Sequence, residues 1–229
     1  MNEFVIFYNA ILFEFDRLKV LSDFINSESE TEILKPEYSY FIKISYSFFE
    51  IRDSLDRLTK ISKYISWSPN TKNINYRYDM LRYHYENYCH ELYILKQRLN
   101  AFLNIIKKLY KNEVNFDDAC SEFSKLYTTI SKTMNDFVQE RSLHVHERRM
   151  SNPEIKNYSL LSYLLNEDFE KYPGLQNAFF QDDYKKLKKE YTKIVKERNL
   201  IIDNLVDKIF SNINSIILVE NTYIAKPKV

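Results

Sequence analysis

From Tyr78 to Leu109 the apolar and aromatic residues fall at Tyr78, Leu81, Tyr85, Tyr88, Leu92, Leu95, Leu99, Phe102, Ile106 and Leu109, in steps that alternate three and four without a miss. That spacing keeps all of them on one stripe of a helix, while Arg77, His84, Glu86, Glu91, Lys96 and Gln97 lie on other faces. A second stripe runs through Phe41, Ile44, Phe48, Ile51, Leu55, Leu58, Ile61 and Ile65. An opening helix is predicted from Phe4 to about Phe24. A last one carries Tyr184, Leu187, Tyr191 and Ile194, then Ile201 and Leu205, with lysines on the opposite face of its first half that read as a solvated surface. The stripe shifts at Arg198-Asn199, which reads as two packing faces changing over, the alternative being a polar contact facing residues 141–146.

Punctuation between these stripes is sparse and polar: Ser27–Glu32 with Pro36, Trp67-Ser68-Pro69-Asn70 with Asn73 and Asn75, Asn112–Asn115, Ser151-Asn152-Pro153, and Pro173-Gly174. No segment is long and polar enough to separate two domains. Long helices with short connections predict an all-α fold, an antiparallel bundle of long helices forming one domain over residues 1–229.

Composition narrows the chemistry. Glycine occurs once, at Gly174, so Gly-rich phosphate loops, the dinucleotide fingerprint and tight type I′ hairpins are not expected. The 19 tyrosines and 16 phenylalanines, at helical spacing, read mostly as core and core-edge packing rather than as a base-stacking surface. A net charge of +1 excludes a polycation that coats nucleic acid by bulk charge and leaves room for a local basic patch. Cys89 and Cys120 sit inside apolar patterns, which gives no zinc framework or disulfide scaffold. No apolar run reaches a membrane span, and no signal peptide is read at the start, so the expectation is a cytoplasmic protein without a membrane partner.

The informative pattern is the fourth stripe: Phe116, Cys120, Phe123, Tyr127, Ile130, Met134, Phe137. The same count continues to Arg141 and His144, so the stripe turns into charge without losing register, and Arg148 returns to nearly the same face. An arginine on an apolar stripe needs a partner or a cleft, unless the helix simply leaves the core after Phe137. The local sequence is Glu140-Arg141-Ser142-Leu143-His144-Val145-His146-Glu147-Arg148-Arg149, which puts groups titrating near neutral pH beside fixed positive charge. Such a set suits metal-free phosphodiester cleavage: imidazole moves the proton of a ribose 2′-hydroxyl or of the leaving oxygen, and guanidinium holds the phosphate.

Arg141, four residues and then His146 resembles the R-x4-H motif of the HEPN superfamily, all-helical proteins many of which are metal-independent RNases. In them the motif lies late in a long helix, and two copies usually meet in a composite cleft across a dimer. The string His144-Val145-His146-Glu147 is similar to HEPN proteins of bacterial defence and toxin loci. Ser142 stands where active members commonly carry Asn, Asp or His. The resemblance implies that Arg141 binds and polarises the scissile phosphate and that His146 is the general acid or base. Ser142 and His144 would support them, and Arg148 and Arg149 would track the RNA backbone. On an ideal helix Arg141 and His146 point about 140° apart, so they converge only through a helix end, a kink or a second subunit.

The resulting expectation is an endoribonuclease acting by 2′-hydroxyl attack, without cofactor or metal. It would be a homodimer serving as a toxin or abortive-infection effector, with a possible antitoxin or defence partner. The alternative is a non-catalytic helical adaptor, or a degenerate HEPN protein, that binds RNA or a protein partner. A di-metal site is the weaker rival: Glu86 and His90, and Glu140 and His144, are four apart rather than three, and the stripe through Tyr85, Tyr88 and Leu92 leaves His90 on the far face. His84 reads as a boundary residue.

Overall fold

The structure is a computed structural model that describes residues 2–18, 39–67, 69, 74–112, 116–147 and 173–228, with backbone alone at 74–75, 116–119, 138, 140–147, 173–183 and 223. Five helices make up the fold: α1 (Glu3–Leu18), α2 (Ser39–Ser66), α3 (Ile74–Leu109), α4 (Phe116–Glu147) and α5 (Pro173–Ile217). A two-stranded ribbon, β1 (Leu218–Val219) and β2 (Tyr223–Ile224), follows α5. The all-α class is as the periodicity predicts. No described helix is long and apolar enough to cross a membrane.

The described residues divide into two compact units, one from segments 1–53, 96–133 and 201–229, the other from 54–95 and 134–200. The core of the first is aromatic. Phe210 of α5 lies 5.0 Å from Phe4, 5.1 Å from Phe7, 5.6 Å from Phe48 and 5.5 Å from Phe102, ring centre to ring centre, so α1, α2, α3 and α5 meet on one side chain. The pairs Phe4–Phe48 and Phe15–Phe41 run α1 antiparallel to α2. The first amides of a helix have no partner within it. Asn2 Oδ1 accepts from the Phe4 and Val5 amides at 2.9 and 3.3 Å, and Asp207 Oδ1 accepts from the Glu3 amide at 2.6 Å, a carboxylate at the positive end of the helix dipole.

In the second unit Ser54–Glu91 and Tyr64–His84 run α2 antiparallel to α3, while Tyr78–Tyr184 and Tyr85–Tyr191 run α3 parallel to α5. Tyr85 and Tyr191 stack face to face, 4.1 Å apart and 6° from coplanar. Along α3 every predicted stripe position from Tyr78 to Ile106 is buried, and Leu109 gives way to Tyr110 as the last inward residue.

Three expectations need correction. On α5 the stripe resumes at Ile202, which is buried, and not at Ile201, which is 43% exposed. Pro173-Gly174 is not a break but the first turn of α5, where proline's missing N–H costs nothing. A tight hairpin forms without glycine: Glu220 and Asn221 take positive φ of 52° and 56°, and the Thr222 amide closes the turn on the Val219 carbonyl at 2.9 Å. Two successive residues at positive φ make a type I′ turn, with asparagine, among the non-glycine residues most tolerant of that region, at the second position. Most of the aromatics pack inside, while Tyr46, Tyr64, Trp67, Tyr76 and Tyr83 are each about half exposed or more. The expected extension of α1 toward Phe24 lies outside the described residues.

Candidate functional site

Helix α4 carries a buried stripe of Phe123, Leu126, Ile130 and Met134, and its backbone continues as regular helix through Glu147. Arg141, Ser142, His144 and His146 therefore sit on helical backbone, with His146 in the final turn; their side chains lie outside the described residues, as do Arg148 and Arg149 altogether. Because the helix is unbroken between them, Arg141 and His146 leave one chain's backbone about 140° apart.

The last described side chain before the motif on that face is Phe137, one turn ahead of Arg141. The Arg198 guanidinium of α5 lies over its ring, 4.9 Å from the centroid, and Nη1 of the same guanidinium donates to the Tyr85 hydroxyl of α3 at 3.2 Å. Arg198 is thus tied to α3 and α4 at once. It falls in register with Tyr191, Val195, Ile202 and Leu205, all buried, so it occupies a position the helix otherwise fills with apolar side chains. Its neighbour Asn199 holds α3 again and adds α2: Oδ1 accepts from the Tyr88 hydroxyl at 2.8 Å and Nδ2 donates to Ser62 Oγ at 2.9 Å. The change of face expected at Arg198-Asn199 is instead a polar contact between helices. The sequence signal was present, two polar residues where the stripe falters, but the partners become visible only when α2, α3 and α5 are brought together.

Glu91, predicted to face away from the α3 stripe, is buried, accepts from Ser54 Oγ at 2.7 Å and lies 3.9 Å from Arg57. A buried carboxylate needs such partners, and Ser54, buried beside the half-buried Leu55 of the α2 stripe, is one of them. The remaining histidines take separate places. His84 is half buried against Tyr64, ring centres 5.2 Å apart, and burial lowers its pKa from the ordinary imidazole value. His90 is exposed, and Glu86 pairs with Arg82 at 3.2 Å on the same helix. Among the described residues there is no group of three or more His, Cys, Asp or Glu side chains placed to hold a metal ion. Comparison with family models, with curated proteins and with solved structures finds no match to this chain.

Proposed function

We propose that this protein is a metal-independent endoribonuclease of the HEPN kind, cleaving RNA by attack of a ribose 2′-hydroxyl on the adjacent phosphate. One observation carries the reading: the buried stripe of α4 passes in register, on unbroken helix, into Arg141-Ser142-Leu143-His144-Val145-His146. In this reading Arg141 binds the phosphate and stabilises the charge that builds on its oxygens. His146 takes the 2′-hydroxyl proton or delivers one to the departing 5′-oxygen. His144 and Ser142 hydrogen-bond to substrate or to the catalytic pair, and Arg148 and Arg149 neutralise flanking phosphates.

The divergence of Arg141 and His146 on a straight helix favours a site shared between two copies, each supplying what the other's helix turns away. An RNA-cutting toxin or defence effector would act in a reducing cytoplasm, where thiols such as those of Cys89 and Cys120 persist.

Purified protein incubated with total RNA and with tRNA in EDTA is expected to cleave and to leave cyclic-phosphate ends. Arg141→Ala and His146→Ala, matched for helicity by circular dichroism, are expected to lose at least a hundredfold in rate, in line with removal of a general acid–base group or an oxyanion donor. Equal cleavage by all three proteins, or none by the parent, would overturn the nuclease reading; RNA bound without cleavage would move it to the binding-module alternative.

A further inference from the structure

An arginine is not the obvious occupant of position 198. Its register mates on α5, Tyr191, Val195, Ile202 and Leu205, are buried, and an aliphatic side chain there would cover Phe137 without drawing a charge out of water. A guanidinium does something an aliphatic group cannot. It is planar, with donors fixed around its edge, so its contacts set direction as well as distance. Here the cation lies over the Phe137 ring of α4, 4.9 Å from the centroid, while Nη1 donates to the Tyr85 hydroxyl of α3 at 3.2 Å. Tyr85 is itself held, its buried ring stacked on Tyr191 at 4.1 Å and 6° from coplanar. The contacts therefore run from two rings locked in the core, through Arg198, to one turn of α4.

That turn is where the apolar stripe of α4 ends. Phe123, Leu126, Ile130 and Met134 are buried and Phe137 is half buried. The next two stripe positions are Arg141 and His144, so the stripe offers no further apolar side chain to the core. Arg141 follows Phe137 by about 6 Å along the axis and His146 by about 13.5 Å, on unbroken helix. A small rotation or slide of α4 at Phe137 is carried to both. Apolar contacts alone leave room for such motion, because cores lose rigidity before they lose stability. For catalysis the difference matters: a misplacement of about 1 Å can cost about a hundredfold in rate.

The neighbouring Asn199 has a different task. Its hydrogen bonds go to Tyr88 of α3 and Ser62 of α2, at 2.8 and 2.9 Å. The polar layer thus separates into one residue that holds α2 and another that holds α4.

We infer that Arg198 is a positioning residue for the Arg141–His146 motif: it clamps the Phe137 turn of α4 to Tyr85 of α3 and so fixes the direction in which the helix presents both groups. The positioning role rests on the nuclease reading; the clamp on α4 does not.

The test compares the full chain with two variants, Arg198→Met and Ser62→Ala. The second removes a hydrogen bond from the same layer and leaves Phe137 untouched. Hydrogen exchange read by mass spectrometry reports the clamp. Amides 138–147 are expected to exchange about tenfold faster or more in Arg198→Met, and within about threefold of the parent in Ser62→Ala. RNA cleavage in EDTA reports the positioning. Arg198→Met should lower kcat about tenfold or more with KM within about threefold, while Ser62→Ala keeps both. Tyr85→Phe keeps the stacked ring and loses only the hydroxyl. It should move both readouts the same way by less, and it carries the test if Arg198→Met does not fold by circular dichroism.

Exchange of 138–147 unchanged in Arg198→Met, or raised equally by Ser62→Ala, would overturn the clamp. Faster exchange with kcat unchanged would overturn the positioning role. The two proposals fail separately: an inactive parent in which Arg198→Met still frees amides 138–147 sinks the nuclease reading and leaves the clamp standing, whereas an active parent whose α4 exchange ignores Arg198 sinks this inference alone.

Discussion

His84 lies with its ring 5.2 Å from that of Tyr64 and 5.5 Å from that of Tyr83, part of an aromatic layer between α2 and α3. Burial disfavours its charged form and lowers its pKa. The consequence for stability has a definite sign. The unfolded chain binds the proton at the ordinary imidazole pKa and the folded chain only at lower pH. The stabilisation from a neutral, stacked His84 is therefore complete above the unfolded value, and it is lost as pH falls from there through the folded value. His84→Phe retains the stacked ring and removes the titration. Urea midpoints measured at about pH 8 and about pH 5 should fall further for the parent than for this variant. An equal fall in both would show that His84 does not sense pH in the fold. Its half-buried setting agrees with a boundary residue, as its place beside the Tyr85 stripe position predicts.

At the scale of the elements, what was legible in the sequence depended on how regular each stripe is. Helix α3 repeats three and four across its length, and its buried face is the one read from spacing alone. Helix α5 is harder because Arg198 sits on the stripe itself. With a charged residue at that position the count slips by one and lands on Ile201, when the inward residue is Ile202. The hairpin after α5 was illegible for a different reason. Glycine is the usual mark of a type I′ turn, and Glu220-Asn221 makes one without it. Of the candidate site, the helical placement of Arg141 through His146 was legible. The contacts of Arg198 and Asn199 were not, because spacing along one helix carries no information about which hydroxyl a neighbouring helix presents.

Those contacts predict a coupling between elements. Arg198→Met keeps the length and apolar stem of the side chain and removes both the hydrogen bond to Tyr85 and the charge over Phe137. It should cost about 1–2 kcal/mol in urea unfolding, a neutral-partner hydrogen bond and a cation–π contact together. In a cycle with Tyr85→Phe the coupling should be about 0.5–1.5 kcal/mol. A coupling near zero would mean that α3 and α5 are held by the Tyr85–Tyr191 stack and not by the arginine.

For the whole molecule, the proposal of a shared site has a consequence that no single-chain enzyme would share. A straight α4 turns Arg141 and His146 to different sides, so a cleft that needs both draws Arg141 from one copy and His146 from the other. In a two-fold dimer this makes two such clefts. Arg141→Ala alone then breaks both, and so does His146→Ala. Mixing the two variants is different: a mixed dimer has one cleft with neither group and one with both intact. Random exchange makes half the dimers mixed, each with one working cleft of two, so cleavage should return to about a quarter of the parental rate. Light scattering or ultracentrifugation should show a dimer under the same conditions. If mixing restores nothing while each variant remains folded and dimeric, the cleft does not pair Arg141 of one copy with His146 of the other. If the parent is active as a monomer, the two side chains meet within one chain, and α4 must bend or fray near its end at Glu147 to bring them together.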